Sequence, residues 1–268
     1  MNKINVLYNA ISNYSHYVFS IISLLIILIC IPMFKYKEKL VNLIAFSFII
    51  QAVWNIYNHF IYGRLINHFK DDYVTQARIR IPSERCYWIL LIIAELLFIL
   101  YPTIKFKSKA IIIYFPIRFL MIGLYLYFTN YIQKTAHGRS LTIGDDGSYN
   151  YNFTSTYQLE YLQRGGYVLF SIILVFILFK ILYKNRDNEA LIPKLYKYEI
   201  GVIIINALQF IIFIICYFVV AKSNDLIVIF ESFIKIMDMF IYILIPITAL
   251  YILKQLKLSE KSKLVVEA

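Results

Sequence analysis

The sequence predicts an all-α integral membrane protein, a bundle of seven transmembrane helices. Sixty per cent of its 268 residues are hydrophobic and only 16% are charged, whereas soluble domains average about 45–50% apolar and about 25% charged residues. The apolar residues also occur in runs of about 20, the length of helix that crosses about 30 Å of hydrocarbon. Strands of a membrane β-barrel would alternate apolar and polar residues over about ten positions. The composition therefore excludes a soluble globular protein, and the runs favour helices.

Seven apolar runs are long enough to span a membrane, and together they form a single membrane domain. In chain order they cover residues 17–34, 40–62, 86–104, 110–131, 165–183, 199–221 and 226–253. The second run is the most polar of the seven. It contains Gln51, Asn55, Asn58 and His59. Six spans, with this run lying in the membrane interface, is the alternative count. The four residues at 222–225 predict a tight hairpin between the last two helices.

The basic residues between the runs predict that the N-terminus lies outside and the C-terminus in the cytoplasm. Segments 35–39, 105–109, 184–198 and 254–268 contain 14 Lys or Arg in 40 residues, whereas the segments on the opposite side contain 10 in 76. In membrane proteins the cytoplasmic loops carry the excess of Lys and Arg. The protein is therefore expected in the plasma membrane or an endomembrane, with a basic rim that contacts anionic inner-leaflet lipids.

A net charge of +11 is also typical of nucleic-acid-binding proteins. Here the basic residues are spread over several short loops and do not form one patch, so no nucleic-acid partner is expected. The expected partners are the lipid bilayer and an unidentified small molecule, ion or lipid. A protein partner is a further expectation if charges in the spans pair across an interface.

The longest polar segment, 132–164, is predicted to form a short β-hairpin between the fourth and fifth helices. Residues 141–143 and 149–153 alternate in polarity on either side of a Gly-Asp-Asp-Gly turn at 144–147. The hairpin is either a lid over an outward-facing cavity or a plain surface connection between two helices. Asn152 begins an Asn-x-Thr sequon, so it is a candidate glycosylation site on the outer side.

Five ionisable residues lie well inside the predicted spans. They are Glu95, Arg118, Glu231, Lys235 and Asp238. Insertion of such a residue at a helix centre costs on the order of 2.5–3.5 kcal/mol, so these residues usually face the bundle interior and pair. Glu231, Lys235 and Asp238 share one face of the seventh helix, and Glu231 precedes Lys235 in the favourable order for an ion pair. Arg118 would neutralise either Asp238 or Glu95. We expect these residues to form a solute, ion or headgroup site.

Three amides repeat the same spacing on the second helix, at Gln51, Asn55 and Asn58. Hydrogen bonds between membrane helices average about 0.6 kcal/mol, so the amides either join helices or line the same ligand-binding cavity. The sequence predicts no catalytic residue and no metal site. A membrane hydrolase would need histidines and acids at one depth, and the four histidines are scattered. No H-E-x-x-H, G-x-S-x-G or phosphate-loop motif occurs, so an enzyme is not expected.

Glu231-Ser-Phe-Ile-Lys235 resembles the D-x-x-x-K motif of microbial rhodopsins, in which the lysine forms a Schiff base with retinal. The resemblance implies retinal on Lys235, and it covers this one short motif. The tryptophan and proline pattern that packs the chromophore in the sixth helix is absent from 199–221, and both tryptophans, Trp54 and Trp88, lie elsewhere. The expectation is therefore no cofactor, with retinal on Lys235 as the alternative.

Two further resemblances concern architecture. Seven helices with an external N-terminus resemble a G-protein-coupled receptor, but Leu-Tyr-Pro-Thr at 100–103 replaces D-R-Y, and Ile-Pro-Ile-Thr-Ala-Leu-Tyr at 245–251 replaces N-P-x-x-Y. The spacing of Glu231 and Asp238 on the last helix is similar to that of fungal seven-helix lipid-translocating proteins of the drug-resistance type, whose arginine-rich sixth helix is absent. Such likeness does not fix function.

Three functions fit these observations. The leading hypothesis is a small transporter, or a lipid- or solute-handling protein, with an ionisable site in the helix bundle. The alternative is a divergent seven-helix receptor that uses the same cavity as a ligand pocket. The third is a structural subunit of a membrane complex, in which the charges pair across an interface with a partner.

Overall fold

The chain folds almost entirely into helices. The computed structural model describes residues 3–36, 38–69, 73–138, 142–143, 149–150, 153–187, 192–219 and 224–266. Their α-helices are α1 (Lys3–Cys30), α2 (Lys39–Ile56), α3 (Gly63–His68), α4 (Tyr73–Lys105), α5 (Ala110–Gly138), α6 (Phe153–Lys184), α7 (Ile192–Val219) and α8 (Asn224–Val266). A 3-10 turn, Ile31–Lys35, continues α1, and a π-helical turn, Tyr57–Tyr62, joins α2 to α3.

Seven helical segments of the described chain are long and apolar enough to cross a membrane, which confirms the predicted count. They are Tyr14–Lys35, Lys39–Ile66, Arg85–Lys105, Ile111–Thr129, Gln158–Lys184, Ile192–Val219 and Val228–Glu260. The second is the least hydrophobic, with a mean hydropathy of 1.6 against 2.7 for the first and sixth, as its amides predict. Length and composition support a multi-pass membrane protein, and the orientation across the membrane stays a prediction.

The helices extend further than the apolar runs that predicted them. The fifth span begins at Gln158, not at 165, and the sixth begins at Ile192, not at 199. The expected loop at 63–85 is also largely helical. The physical reason is that a helix continues beyond the hydrocarbon as long as its residues can form helical hydrogen bonds, whatever their polarity. As a result, Arg164 lies inside a span although the sequence placed it in a loop.

The helices form a closed ring in which neighbours in sequence are neighbours in space. The α1 helix packs on α2, α2 packs on α4, each later helix packs on the next, and α8 returns to α1. Connections as short as 36–38 and 106–109 cannot cross the bundle, because an extended residue covers at most about 3.6 Å. Helices joined in this way are therefore antiparallel. We call the end of the bundle that holds Lys3 the N-terminal end, and the opposite end the C-terminal end.

The two halves of the bundle pack differently. The larger apolar core lies toward the C-terminal end and joins most of the helices. Its most completely buried side chains include those of Ile26, Met33, Ile44, Phe48, Ile99, Tyr101, Leu182, Leu195 and Ile245. The smaller core lies toward the N-terminal end and joins only α6, α7 and α8, through residues such as Val168, Phe213 and Ile234. The N-terminal half therefore has more room for a site.

Two short strands follow α5 in the predicted hairpin segment. Thr142–Ile143 pairs antiparallel with Tyr149–Asn150, with Thr142 opposite Asn150. Residues 144–148, which hold the predicted Gly/Asp turn, lie outside the described residues, and so does Asn152. The complete hairpin, its use as a lid and the glycosylation of Asn152 therefore stay predictions.

Candidate functional site

A cavity of about 680 Å³ lies in the N-terminal half of the bundle, between α1, α2 with its π-helical turn, α4 and α8. Small-molecule pockets have volumes of about 300–1,000 Å³. Two amides from the α2 side and two charged side chains from α8 line this cavity. They are Asn55, Asn58, Lys235 and Asp238. The structure therefore brings half of the eight predicted binding residues to one cavity, which we call the solute cavity.

Asp238 lies where the solute cavity meets a second cavity. The second cavity measures about 310 Å³ and is lined by residues of α4 to α8, including Arg164, Gln209 and Asp238. Gln209 Nε2 donates a hydrogen bond to Asp238 Oδ1 at 2.7 Å. Tyr87 also lines both cavities. A ligand that occupied either space would therefore reach the Asp238 carboxylate.

Glu231, on the same helix face, pairs with Arg164, which the apolar runs had placed in a loop. Arg164 Nη1 donates to Glu231 Oε1 at 2.6 Å, and Arg164 Nη2 donates to Oε2 at 3.3 Å. The Arg164 guanidinium carbon also lies 4.7 Å from the centroid of the Phe213 ring. Glu231 therefore has an ion-pair partner on α6, and its pairing with Lys235 stays a prediction. A fifth span begun a few residues earlier would have included Arg164.

Glu95 and Arg118 form the other buried ion pair. Arg118 Nη2 donates to Glu95 Oε1 across the α4–α5 contact, and the Arg118 side chain is 3% exposed. Arg118 Nη1 lies 3.4 Å from Met121 Sδ, and its guanidinium carbon lies 5.7 Å from the Tyr167 ring centroid. Of the two partners open to Arg118 in the sequence, the structure pairs it with Glu95. Neither member of the pair lines the solute cavity or the second cavity.

The amides of α2 fall at the edge of open space. Asn55 and Asn58 line the solute cavity. Gln51 lines a smaller cavity of about 150 Å³, which also borders Asn55, and its Nε2 donates to Ser47 Oγ at 3.4 Å. The i, i+4, i+7 spacing thus places the two amides of α2 and Asn58 of the π-helical turn beside cavities in the bundle, whether they bind a ligand or join helices.

The π-helical turn Tyr57–Tyr62 contributes three residues to the wall of the solute cavity. Asn58, His59 and Tyr62 all line the solute cavity, and π-helical turns occur frequently at functional sites. His59 Nδ1 lies 2.9 Å from His16 Nδ1. The two histidines are 43 positions apart, so only the packing of α1 on α2 brings them together. Within the described residues, no three His, Cys, Asp or Glu side chains converge on a metal-sized space.

Comparison of the chain with protein-family models, with curated proteins and with solved structures found no match. The chemistry of the solute cavity is therefore the basis for an argument about function. That chemistry combines a carboxylate, an ammonium group, two amides, two imidazoles and several aromatic rings within one space.

Proposed function

We propose that the chain is a small membrane transporter that binds a zwitterionic solute in the solute cavity. The observation that carries this proposal is that one wall of the cavity holds both a positive and a negative side chain. Lys235 and Asp238 are three residues apart on α8, which is about 4.5 Å along a helix axis, and both line the same space. A ligand with an ammonium group and a carboxylate would complement both side chains at once.

The remaining cavity walls suit the same class of ligand. Asn55 and Asn58 also line the cavity and offer amide donors and acceptors. Trp54 and Tyr62 also line the space, and the faces of such rings attract an ammonium group within about 6 Å. Polar groups that converge in a concave, partly aromatic pocket are typical of small-molecule sites. We therefore favour a small amine-containing zwitterion over a large apolar ligand.

The contrast between the two halves of the bundle favours transport. Alternating access needs a midplane site that opens to one side while the other side is closed. The solute cavity occupies the N-terminal half, whereas the larger apolar core fills the C-terminal half. With the N-terminus outside, as the basic residues predict, this arrangement corresponds to a state with the site accessible from outside.

A receptor would use the same cavity but would also need a surface for a cytoplasmic protein. The connections 36–38 and 106–109 at the C-terminal end offer little surface, so a receptor would have to use the segments 184–198 and 254–268. A structural subunit would leave the cavity and its charged wall without a role. We favour transport because it gives the solute cavity and its charged wall a role without requiring a cytoplasmic partner.

The test measures ligand-induced stabilisation and uptake. The purified chain is heated with glycine betaine, choline, acetate or each standard amino acid, and the unfolding midpoint is recorded. At a hundred times the Kd, a bound ligand adds about 2.7 kcal/mol of stability. We expect a zwitterion to stabilise the wild type, and Asp238→Asn and Lys235→Gln to lose this response. The same zwitterion should accumulate in proteoliposomes that contain the wild type.

The matched control is Asp187→Asn, which removes an acid that is 88% exposed and lies outside the cavity. It should respond to the zwitterion as the wild type does. A normal response in both Asp238→Asn and Lys235→Gln would overturn the site. Binding without uptake would favour the receptor over the transporter, and a chain that purifies only with a second protein would favour the subunit.

A further inference from the structure

A groove of about 460 Å³ runs between α7 and α8 toward the C-terminal end of the bundle. One end of this groove is basic. Lys194 and Lys197 come from the first two turns of α7, and Lys254 comes from α8. The nine described residues that line the groove include no Asp or Glu. Glu199 of α7 is 2% exposed and lies outside the lining. The groove therefore presents positive charge that no lining acid neutralises.

The basic end offers hydrogen-bond donors of the kind that bind a phosphate group. Lys194 Nζ lies 4.4 Å from the centroid of the Tyr251 ring, which holds the ammonium group at the groove wall. Tyr251 Oη accepts a hydrogen bond from Gln255 Nε2 at 2.8 Å, so its own hydrogen remains to be donated. Charge-assisted hydrogen bonds from such donors are the strong contacts of a phosphate group. The N-terminus of α7 begins at Ile192 and adds the positive end of the helix dipole.

The other end of the groove is apolar and open at the surface. Ile247 and Leu250 are 57% and 53% exposed, and Leu244 continues the same wall. At Gly201 a Cβ would lie 2.9 Å from Leu244 Cδ1, so α7 and α8 are in close contact beside this wall. Leu244 and Lys254 are ten residues apart, or about 15 Å along the helix. The groove thus passes from lipid-facing apolar side chains to lysines at the membrane edge.

We infer that this groove binds one anionic phospholipid. Its phosphate group contacts Lys194, Lys197 and Lys254, and one acyl chain lies along Leu244 and Ile247. Basic pockets between membrane helices recognise lipid headgroups by this chemistry, and a soluble phosphate would leave the apolar wall uncovered. The groove shares no lining residue with the solute cavity, so this inference does not depend on the transport proposal.

The test measures lipid retention by native mass spectrometry. The full chain is released from nanodiscs of phosphatidylcholine with a minor fraction of phosphatidylglycerol, present in both leaflets so that orientation does not matter. We expect the wild type to retain one phosphatidylglycerol in preference to phosphatidylcholine. The triple variant Lys194→Gln/Lys197→Gln/Lys254→Gln should weaken retention about fivefold per lysine, or about 100-fold in total.

The matched control removes the same number of charges from the same end of the bundle but outside the groove. It is the triple variant Lys180→Gln/Lys184→Gln/Lys257→Gln. This control should retain phosphatidylglycerol as the wild type does. Equal losses in the two triple variants would show a diffuse basic rim and overturn the groove as a site.

Two further outcomes would also overturn the inference. Equal retention of phosphatidylcholine and phosphatidylglycerol by the wild type would show that charge is not recognised. Glycerol phosphate has the phosphate group but no acyl chain. If it displaced phosphatidylglycerol at a concentration equal to that of the lipid, the acyl chain would contribute nothing to binding. If the triple groove variant does not fold, Lys194→Gln and Lys254→Gln alone should each lower retention about fivefold, and unchanged retention in both would exclude the site.

Discussion

Two of the sets of charged residues inside the bundle, Arg118 with Glu95 and Lys235 with Asp238, differ in what surrounds them. Arg118 and Glu95 pair with each other between α4 and α5, where the Arg118 side chain is 3% exposed. Lys235 and Asp238 instead line a cavity of about 680 Å³, and Asp238 accepts a hydrogen bond from a neutral amide. The first set is electrically neutral and enclosed, whereas the second presents charge to a space that is large enough for a ligand.

This difference separates structural charges from candidate binding charges. An ionisable residue in a membrane span is costly to insert, so either an internal partner or a function must compensate for it. The Arg118–Glu95 pair has its partner in the fold. Lys235 and Asp238 also border a cavity, so a ligand in that cavity can contact both charges. Depth in the span alone does not distinguish the two cases, because all four residues lie well inside the spans.

Arg118→Met should have the largest effect on stability. It removes the charge that neutralises Glu95, and breaking a buried ion pair from one side costs about 3–5 kcal/mol. The free energy of unfolding of the purified chain, measured by denaturant titration in detergent, should fall by this amount. A loss below about 1 kcal/mol would show that water solvates the Arg118–Glu95 pair. The pair would then not differ from Lys235 and Asp238 in its surroundings.

The double variant Arg118→Met/Glu95→Leu is the matched control. Replacing both members of a buried pair with apolar side chains of similar size is often neutral or stabilising. In this pair, Glu95 Oε2 and Arg118 Nε have no hydrogen-bond partner among the described residues. Glu95 also interacts with Tyr114, and Arg118 with Tyr167, and the double variant removes both contacts. The double variant should therefore be more stable than Arg118→Met, because no unpaired charge remains in the bundle.

Arg164→Gln should have an intermediate effect of about 1 kcal/mol, because solvent screens a pair that is partly exposed. The side chains of Arg164 and Glu231 are 31% and 17% exposed. Arg186→Gln is the control, because Arg186 Nε lies 3.8 Å from Asp187 Oδ2 in an exposed pair. This substitution should not measurably change the free energy of unfolding. If Arg164→Gln costs as much as Arg118→Met, the two ion pairs belong to one class.

Most of the fold was predictable from the sequence because hydrophobicity over about 20 residues reports directly on membrane helices. The seven spans follow from that signal. The helix ends did not, since polar residues such as Arg164 continue a helix without lowering its propensity. The ring order of the helices also required the structure, because the apolar faces of membrane helices resemble one another.

The candidate site was predictable only in part. The spacing of Lys235 and Asp238 placed them on one helix face, and the same logic placed Asn55 and Asn58 on another. Which charges would pair depended on rotations of neighbouring helices that spacing does not encode. The approach of His16 to His59 depended on the packing of α1 against the π-helical turn, and neither histidine carries a local signal for it.

Asp238→Asn should have the smallest effect on stability. It tests whether Asp238, unlike Glu95, contributes little to stability through its charge. The described hydrogen bond of Asp238 comes from Gln209 Nε2 at 2.7 Å, and an asparagine oxygen can accept the same bond. Polar contacts between membrane helices average about 0.6 kcal/mol, so the free energy of unfolding should change by less than about 1 kcal/mol. Asp238→Leu is the contrasting variant and should lower the free energy of unfolding more than Asp238→Asn does. It removes the acceptor and leaves the Gln209 amide without this partner. A loss of several kcal/mol in Asp238→Asn would mean that the Asp238 charge is compensated within the fold, as in the Arg118–Glu95 pair, and that this carboxylate is not held for a ligand.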